Sequence, residues 1–236
     1  MGRAFEYRRK SKEKRWGTMS KVFPKIAKAI TMAARDGGGD PESNAKLRLE
    51  IQNAKAANMP KDNVEAAIKR ASGKDAVDMA EVNYEGKGPH GALFFVECAT
   101  DNTNRSVANL KTIFNKGGGQ MVATGSLEFL FDRKAVIDFK IPEGRDIEEI
   151  ELELIDHGLE ELEVDGDDAC AYAPMTEFGP LTTAFETLGV EISEAKLQRI
   201  PNNPQEFTEA QLEEIEELIE KLEDDEDVQA VYTNIG

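Results

Sequence analysis

The chain has 236 residues, 40% of them hydrophobic, and a formal net charge of −17 at pH 7, which is enough length and apolar content for two or three domains with sizeable cores. Its two cysteines, Cys98 and Cys170, lack CxxC spacing and exclude a disulfide framework or a zinc site, and no apolar run approaches the ~18 residues of a bilayer span. The net charge conceals a split: residues 1–75 carry 18 Lys/Arg against 9 Asp/Glu, while residues 76–236 carry 11 against 37, so a polyanion is attracted to the first third alone.

In chain order, a basic arm comes first. Arg8, Arg9, Lys10, Lys12, Lys14 and Arg15 lie among Phe5, Tyr7 and Trp16, aromatic rings suited to stacking on bases. The arm has neither the apolar h-region of a signal peptide nor the acid-poor pattern of a transit peptide, so a cytoplasmic location is expected. Three helices follow. Ser20 caps a helix to about Arg35 with Val22, Ile26, Ile30 and Ala33 on one face; Asp40 and Pro41 open a second with Leu47, Ile51 and Ala54 inward; Pro60 opens a third with Val64, Ala67, Ile68 and Ala71 inward. Lys21, Lys25, Lys28 and Arg35 make a narrow basic stripe opposite much of the first helix's apolar face, a pattern that tracks phosphates.

From Glu81 the period changes from helical to alternating. Val82–Gly86 and Ala92–Ala99 read as strands of a hairpin, Val107, Leu110 and Phe114 as the inner face of a helix, and Leu127, Phe129 and Phe131 as an alternating strand. Residues 135–206 then read as βαββαβ, the ferredoxin-like order. Thr208 and Gln211 form a capping-box pattern ahead of the stripe Leu212, Ile215, Leu218, Ile219 and Leu222, and Val228–Ile235 closes the chain as a strand. This last helix-strand pair has no core of its own, so it is expected to complete the unit begun at Glu81. The expected fold class is α+β in three domains: a small basic helical bundle (1–77), a discontinuous α+β sheet domain (78–134 plus 207–236) and an inserted ferredoxin-like domain (135–206).

Catalytic chemistry is hard to place. His90 sits in a Gly-Pro turn and His157 beside a helix-ending glycine, the acidic residues of the last helix lie opposite its apolar stripe, and the glycine runs at 37–39 and 117–119 follow helices instead of preceding them. No enzymatic activity, metal or cofactor is expected.

Several stretches carry a family resemblance: GGGDP at 37–41, AKAANMPKDNVEAAIKRASG at 54–73, YEGKGPHG at 84–91, TDNTNRSVANLKTIFNKGGG at 100–119 and GSLEFLFDRK at 125–134. On these the chain resembles the YebC/PmpR family. The resemblance implies a helical N-terminal domain, two α+β domains and a cytosolic DNA-binding transcriptional regulator; mitochondrial relatives are linked to activation of translation. GRAFEYRRKSKEKRW at 2–16 keeps the basic charge and tryptophan of the family's usual start but not its His and Asn.

The expectation is therefore a regulator that holds duplex DNA through Arg8, Arg9, Lys10, Lys12, Lys14, Arg15, Lys21, Lys25, Lys28 and Arg35, with ribosomal RNA on the ribosome as the alternative target. Neither membrane nor cofactor is involved, and a protein partner is accommodated on the acidic α+β domains.

Overall fold

The computed structural model describes residues 19–73 and 78–236. Three helices come first, α1 (Met19–Gly37), α2 (Ala45–Ala56) and α3 (Lys61–Ala71). Their shared core is Ile30, Leu47, Met59 and Val64 set among Ala27, Ala33, Ala34, Ala54 and Ala67. Alanine lets helices approach closely but buries little area per residue, so this bundle gains little from its own interior.

The second helix starts at Ala45, four residues after the Pro41 start that its sequence suggests. Asp40 is used in a turn instead, its Oδ1 accepting the N–H of Glu42 and its main-chain oxygen the N–H of Asn44. Asn44 is the cap: its Oδ1 accepts the N–H of Leu47 at 3.0 Å while its amide donates to Ala33 and Gly38 carbonyls, both at 2.8 Å. One buried side chain thus starts α2 and ties it to the end of α1.

The second unit contains β1 (Ala80–Lys87), β2 (Leu93–Thr100), α4 (Thr103–Lys116) and β3 (Gln120–Val122). Further along come β4 (Phe131–Lys140), α5 (Ile147–Ile155), β5 (Glu161–Asp165), β6 (Asp168–Pro174), α6 (Phe178–Leu188) and β7 (Ile192–Pro201), then α7 (Glu209–Glu223) and β8 (Val228–Thr233). Two four-stranded antiparallel sheets result, in the orders β3-β1-β2-β8 and β5-β6-β4-β7. The second order is the ferredoxin-like one, with α5 and α6 laying Ile150, Leu154, Leu181 and Phe185 on one sheet face. The first sheet is left at Val122 and re-entered at Val228, where β8 pairs with β2. A capping box joins Thr208 and Gln211, and α7 then adds Ile215, Leu218, Ile219 and Leu222 to a core with Phe94, Leu110 and Phe114.

Two local expectations are corrected. Residues 127–131 do not form a strand of the second unit. The buried carboxylate of Glu85 accepts the N–H groups of Gly125 at 2.7 Å and Leu127 at 2.5 Å, folding the segment into a turn that leaves Phe129 71% exposed. The crossover then lies at Glu128–Leu130, because β4 begins at Phe131 and pairs from there with β7; a boundary at residue 134 would cut this strand. Nor does Val107 face inward. It is 40% exposed, and Ser106 is buried in its stead.

The glycine runs close elements, as their positions after helices suggest. Gly119 lies so close to the end of β1 that a Cβ there would stand 2.5 Å from the Lys87 carbonyl oxygen, so only glycine fits. His90 occupies the hairpin turn with φ 57° and bonds Glu214 at 3.0 Å.

Removing residues 207–236 strips α7 and β8 from the second core while taking nothing from the ferredoxin-like sheet. The truncated chain is expected to lose amide-exchange protection throughout 80–122 and to keep it in 131–201, a pattern readable by hydrogen exchange with mass spectrometry.

Candidate nucleic-acid interface and the central cleft

The stripe on α1 does not point to solvent as a unit. Lys28 Nζ donates to the carbonyl oxygens of Ala99 at 2.9 Å and Glu226 at 2.7 Å and stands 3.7 Å from Asp227 Oδ1. Two of its three N–H groups are held by carbonyl oxygens and the ammonium stands beside a carboxylate, which leaves it poorly placed for a phosphate. The assignment of Lys28 to a nucleic-acid surface is therefore corrected: it pins the helical bundle to the second unit. Lys25 lines the cleft between the domains, where burial pushes its ammonium pKa down against the opposing fields of Glu223 and Asp224. Arg35 remains exposed at the end of α1 and pairs through Nη2 with Oδ1 of the exposed Asp78. Lys21 lies on α1 with its side chain outside the described residues, as do Arg8, Arg9, Lys10, Lys12, Lys14 and Arg15 altogether.

Helix packing brings other cations to Arg35. A shallow groove of about 440 Å³ at one end of the bundle is lined by Arg35, Gly38, Gly39, Glu65 and Lys69, and Arg70 follows on the last turn of α3. Lys69 and Arg70 are exposed and make no ion pair among the described residues. Their sequence signal was a pair of basic residues ending a helix, which reads equally as a favourable charge on the helix dipole. Only the packing of α3 alongside α1, with the C-terminal ends of the two helices together, places them with Arg35.

Asp227 organises the other end of α1. Its carboxylate takes a bidentate pair from Arg105, Nε to Oδ2 at 3.2 Å and Nη2 to Oδ1 at 2.8 Å, and lies 2.8 Å from Ser106 Oγ, itself 2.9 Å from Thr100 Oγ1. Burial opposes its ionisation, but the bonds from Arg105, Ser106 and Thr100 outweigh burial and hold its pKa below the ordinary value of 3.8. This is why Ser106 displaces Val107 from the interior. It also assigns Arg105, within the TDNTNRSVANLK stretch, a packing role in place of a phosphate contact.

Two further joints close the molecule. Asn53, buried on α2, donates its amide to the Ala195 carbonyl at 3.1 Å and accepts the Ala195 N–H at 3.2 Å, acting as a strand partner for the edge of β7. Arg199 on the same strand lies 4.0 Å over the Phe95 ring and pairs with Glu97 at 3.4 Å. The three units thus enclose a central cleft of about 2140 Å³ lined by α1, α2, α7, β7 and β8. Cys98, on its wall, is buried, and burial pushes its thiol up to about 12, which leaves it inert as a nucleophile. Among the described residues no cluster of His, Cys, Asp or Glu is suited to hold a metal ion. No described helix is long and apolar enough to cross a membrane.

Known proteins resemble this chain along its whole length. The model for the TACO1/YebC protein N-terminal domain matches residues 3–74, and that for the TACO1/YebC second and third domain matches residues 79–235. A protein of Wolinella succinogenes is 60% identical and one of Campylobacter jejuni 59% identical, each over 100% of both chains, and both are named probable transcriptional regulatory protein. The crystal structure of a conserved hypothetical protein from Aquifex aeolicus superposes with a TM-score of 0.83 at 33% identity, covering 93% of this chain and 91% of that one.

Replacing Asp227 by Asn removes a charge whose partners stay in place and is expected to cost about 2–4 kcal/mol at pH 7. The pKa of Asp227 is depressed in the folded state, so its contribution is fully present above the unfolded value and disappears as pH falls through the folded one. Urea unfolding between pH 7 and pH 2 should therefore show a smaller acid-induced loss in Asp227→Asn than in the parent chain. Asn53→Ala, which leaves Ala195 without its partner on α2, is expected to cost about 1–3 kcal/mol and to speed exchange of the Ala195 amide.

Proposed function

The chain belongs to the TACO1/YebC family, and on that premise we propose that it is a non-enzymatic, cytoplasmic, DNA-binding transcriptional regulator that docks on duplex DNA through its basic helical domain. The relatives' name supports the regulatory role. The observation that carries the DNA reading is the grouping of Arg35, Lys69 and Arg70 at an exposed end of the one region whose charge balance is positive. The arm adds Arg8, Arg9, Lys10, Lys12, Lys14 and Arg15 to the same domain, and the acidic remainder sets the direction of approach by repelling the duplex elsewhere.

A surface of this kind contacts phosphates and positions the protein without reading bases. Arg35→Glu, Lys69→Glu and Arg70→Glu together are expected to weaken binding to all duplex sequences alike. The log–log salt slope should become shallower by about 0.9 for each phosphate contact removed. Fluorescence anisotropy of a labelled duplex across a salt series measures both. Lys28→Met serves as the contrast, lowering the melting temperature through the domain joint while leaving the slope unchanged. A triple variant that binds DNA like the parent chain would overturn the reading.

A further inference from the structure

The central cleft is not used by the nucleic-acid reading and is unsuited to it. Glu161, Glu186, Glu206 and Glu220 lie exposed on its lining with no cationic partner among the described residues. Six cations line the cleft, Lys25, Lys46, Arg48, Arg133, Lys196 and Arg199, against twelve carboxylates; Lys46 is paired with Asp36 and Glu81, Lys196 with Glu194 and Arg199 with Glu97. A phosphate backbone entering here meets net repulsion, and a cationic chain meets attraction. The volume of about 2140 Å³ is more than twice the ~1,000 Å³ upper end for small-molecule pockets, which suits a polymer segment.

The walls also carry strand edges that are only partly paired, β7 by Asn53 at Ala195 and the end of the chain by Gln205 at Ile235. β7 and β8 are end strands of their respective sheets, and both line the cleft. Because Ala195 turns its N–H and C=O toward Asn53, away from β4, Leu197 and Arg199 turn theirs the same way. On β8, Asn234 bonds back to Leu93, so the alternation of the ladder points the backbone groups of Val231 and Thr233 away from β2. Asn53 shows what such an edge accepts, an amide offering one donor and one acceptor. Gln229, beside these residues, carries a shielded amide nitrogen with no acceptor among the described residues. Exposed edges of this kind are normally blunted or paired.

We propose that the central cleft binds an extended, Lys/Arg-rich segment of a protein partner, which adds as a strand along β8 while its cations meet the cleft carboxylates. Main-chain bonds supply affinity, and charge at alternate positions supplies selection. The segment excluded from the DNA-facing surface by like charge is the one this cleft selects, so one molecule holds a polyanion and a polycation on separate faces.

The test uses the full chain and a short fluorescein-labelled peptide of alternating Lys and Thr, with the same peptide carrying Glu for Lys as its counterpart. Anisotropy is expected to show salt-sensitive binding of the Lys peptide and none of the Glu peptide. Glu161→Lys, Glu186→Lys, Glu206→Lys and Glu220→Lys together should weaken binding at least about tenfold, each exposed pair contributing a few-fold. Glu148→Lys, Glu149→Lys, Glu209→Lys and Glu213→Lys change the net charge identically outside the cleft and should leave binding nearly intact. Equal loss in both variants would mean that the overall negative charge alone attracts the peptide, which overturns the proposal. Amide exchange of the parent chain gives a reading independent of whether a variant folds: saturating Lys peptide should protect Val231 and Thr233, and unchanged exchange there also overturns it. None of these substitutions touches Arg35, Lys69 or Arg70, so failure here and failure of the DNA reading are separately visible.

Discussion

A single buried carboxylate joins parts of the chain that are far apart in sequence. Asp227 begins the return into the first sheet, and its partners come from the end of β2, the first turn of α4 and, through Lys28, from the helical bundle. An ionised group 98% shielded from solvent persists only if every lone pair finds a donor. Arg105, Ser106 and Lys28 are therefore constrained together, and so is the position of α1 against the second sheet. Without this point of attachment, α7 and β8 would still have an apolar core to cover, but the helical domain would lose its buried polar anchor on the second unit.

The helical domain needs that fixation. Its interior is mostly alanine, and α2 divides its contacts between the bundle and the ferredoxin-like unit, where Leu49 packs against the third core and Asn53 closes the β7 edge. An element with two buried sides shows a blurred amphipathic pattern: here Leu47, Ile51 and Ala54 face the bundle while Leu49 and Asn53 meet the ferredoxin-like unit. The domain that carries the positive charge is thus held by its neighbours more than by its own core. Through these joints, force on the helices is passed to two sheets with independent cores.

Much of this architecture was legible in the sequence because periodicity and punctuation agreed. The capping box at Thr208, the stripe from Leu212 to Leu222 and the alternation in residues 135–141 all left one structural solution, and the orphaned final helix-strand pair pointed back to the unit begun at Glu81. What could not be read was long-range polar pairing. Glu85 reaches forty residues ahead to turn Gly125–Leu127, and nothing local distinguishes that segment from a strand of alternating Leu and Phe. Ser106 outcompetes Val107 for the interior only because Asp227 arrives from the far end of the chain.

The same limit decided the candidate interface. Helical spacing places Lys21, Lys25, Lys28 and Arg35 on one stripe, and a stripe of cations on an isolated helix reads as a phosphate track. Spacing says which side chains share a face but not what that face meets. Here the second unit meets it: two main-chain carbonyls and the Asp227 carboxylate hold Lys28, and the cleft partly desolvates Lys25. Cation–carbonyl bonds of this kind satisfy main-chain acceptors at the ends of secondary structure and hold the ammonium against the second unit. Basic charge in the first third is therefore divided by topology into two uses. Cations along the inner length of α1 hold the domains together, while Arg35 at its far end lies exposed with Lys69 and Arg70 brought alongside.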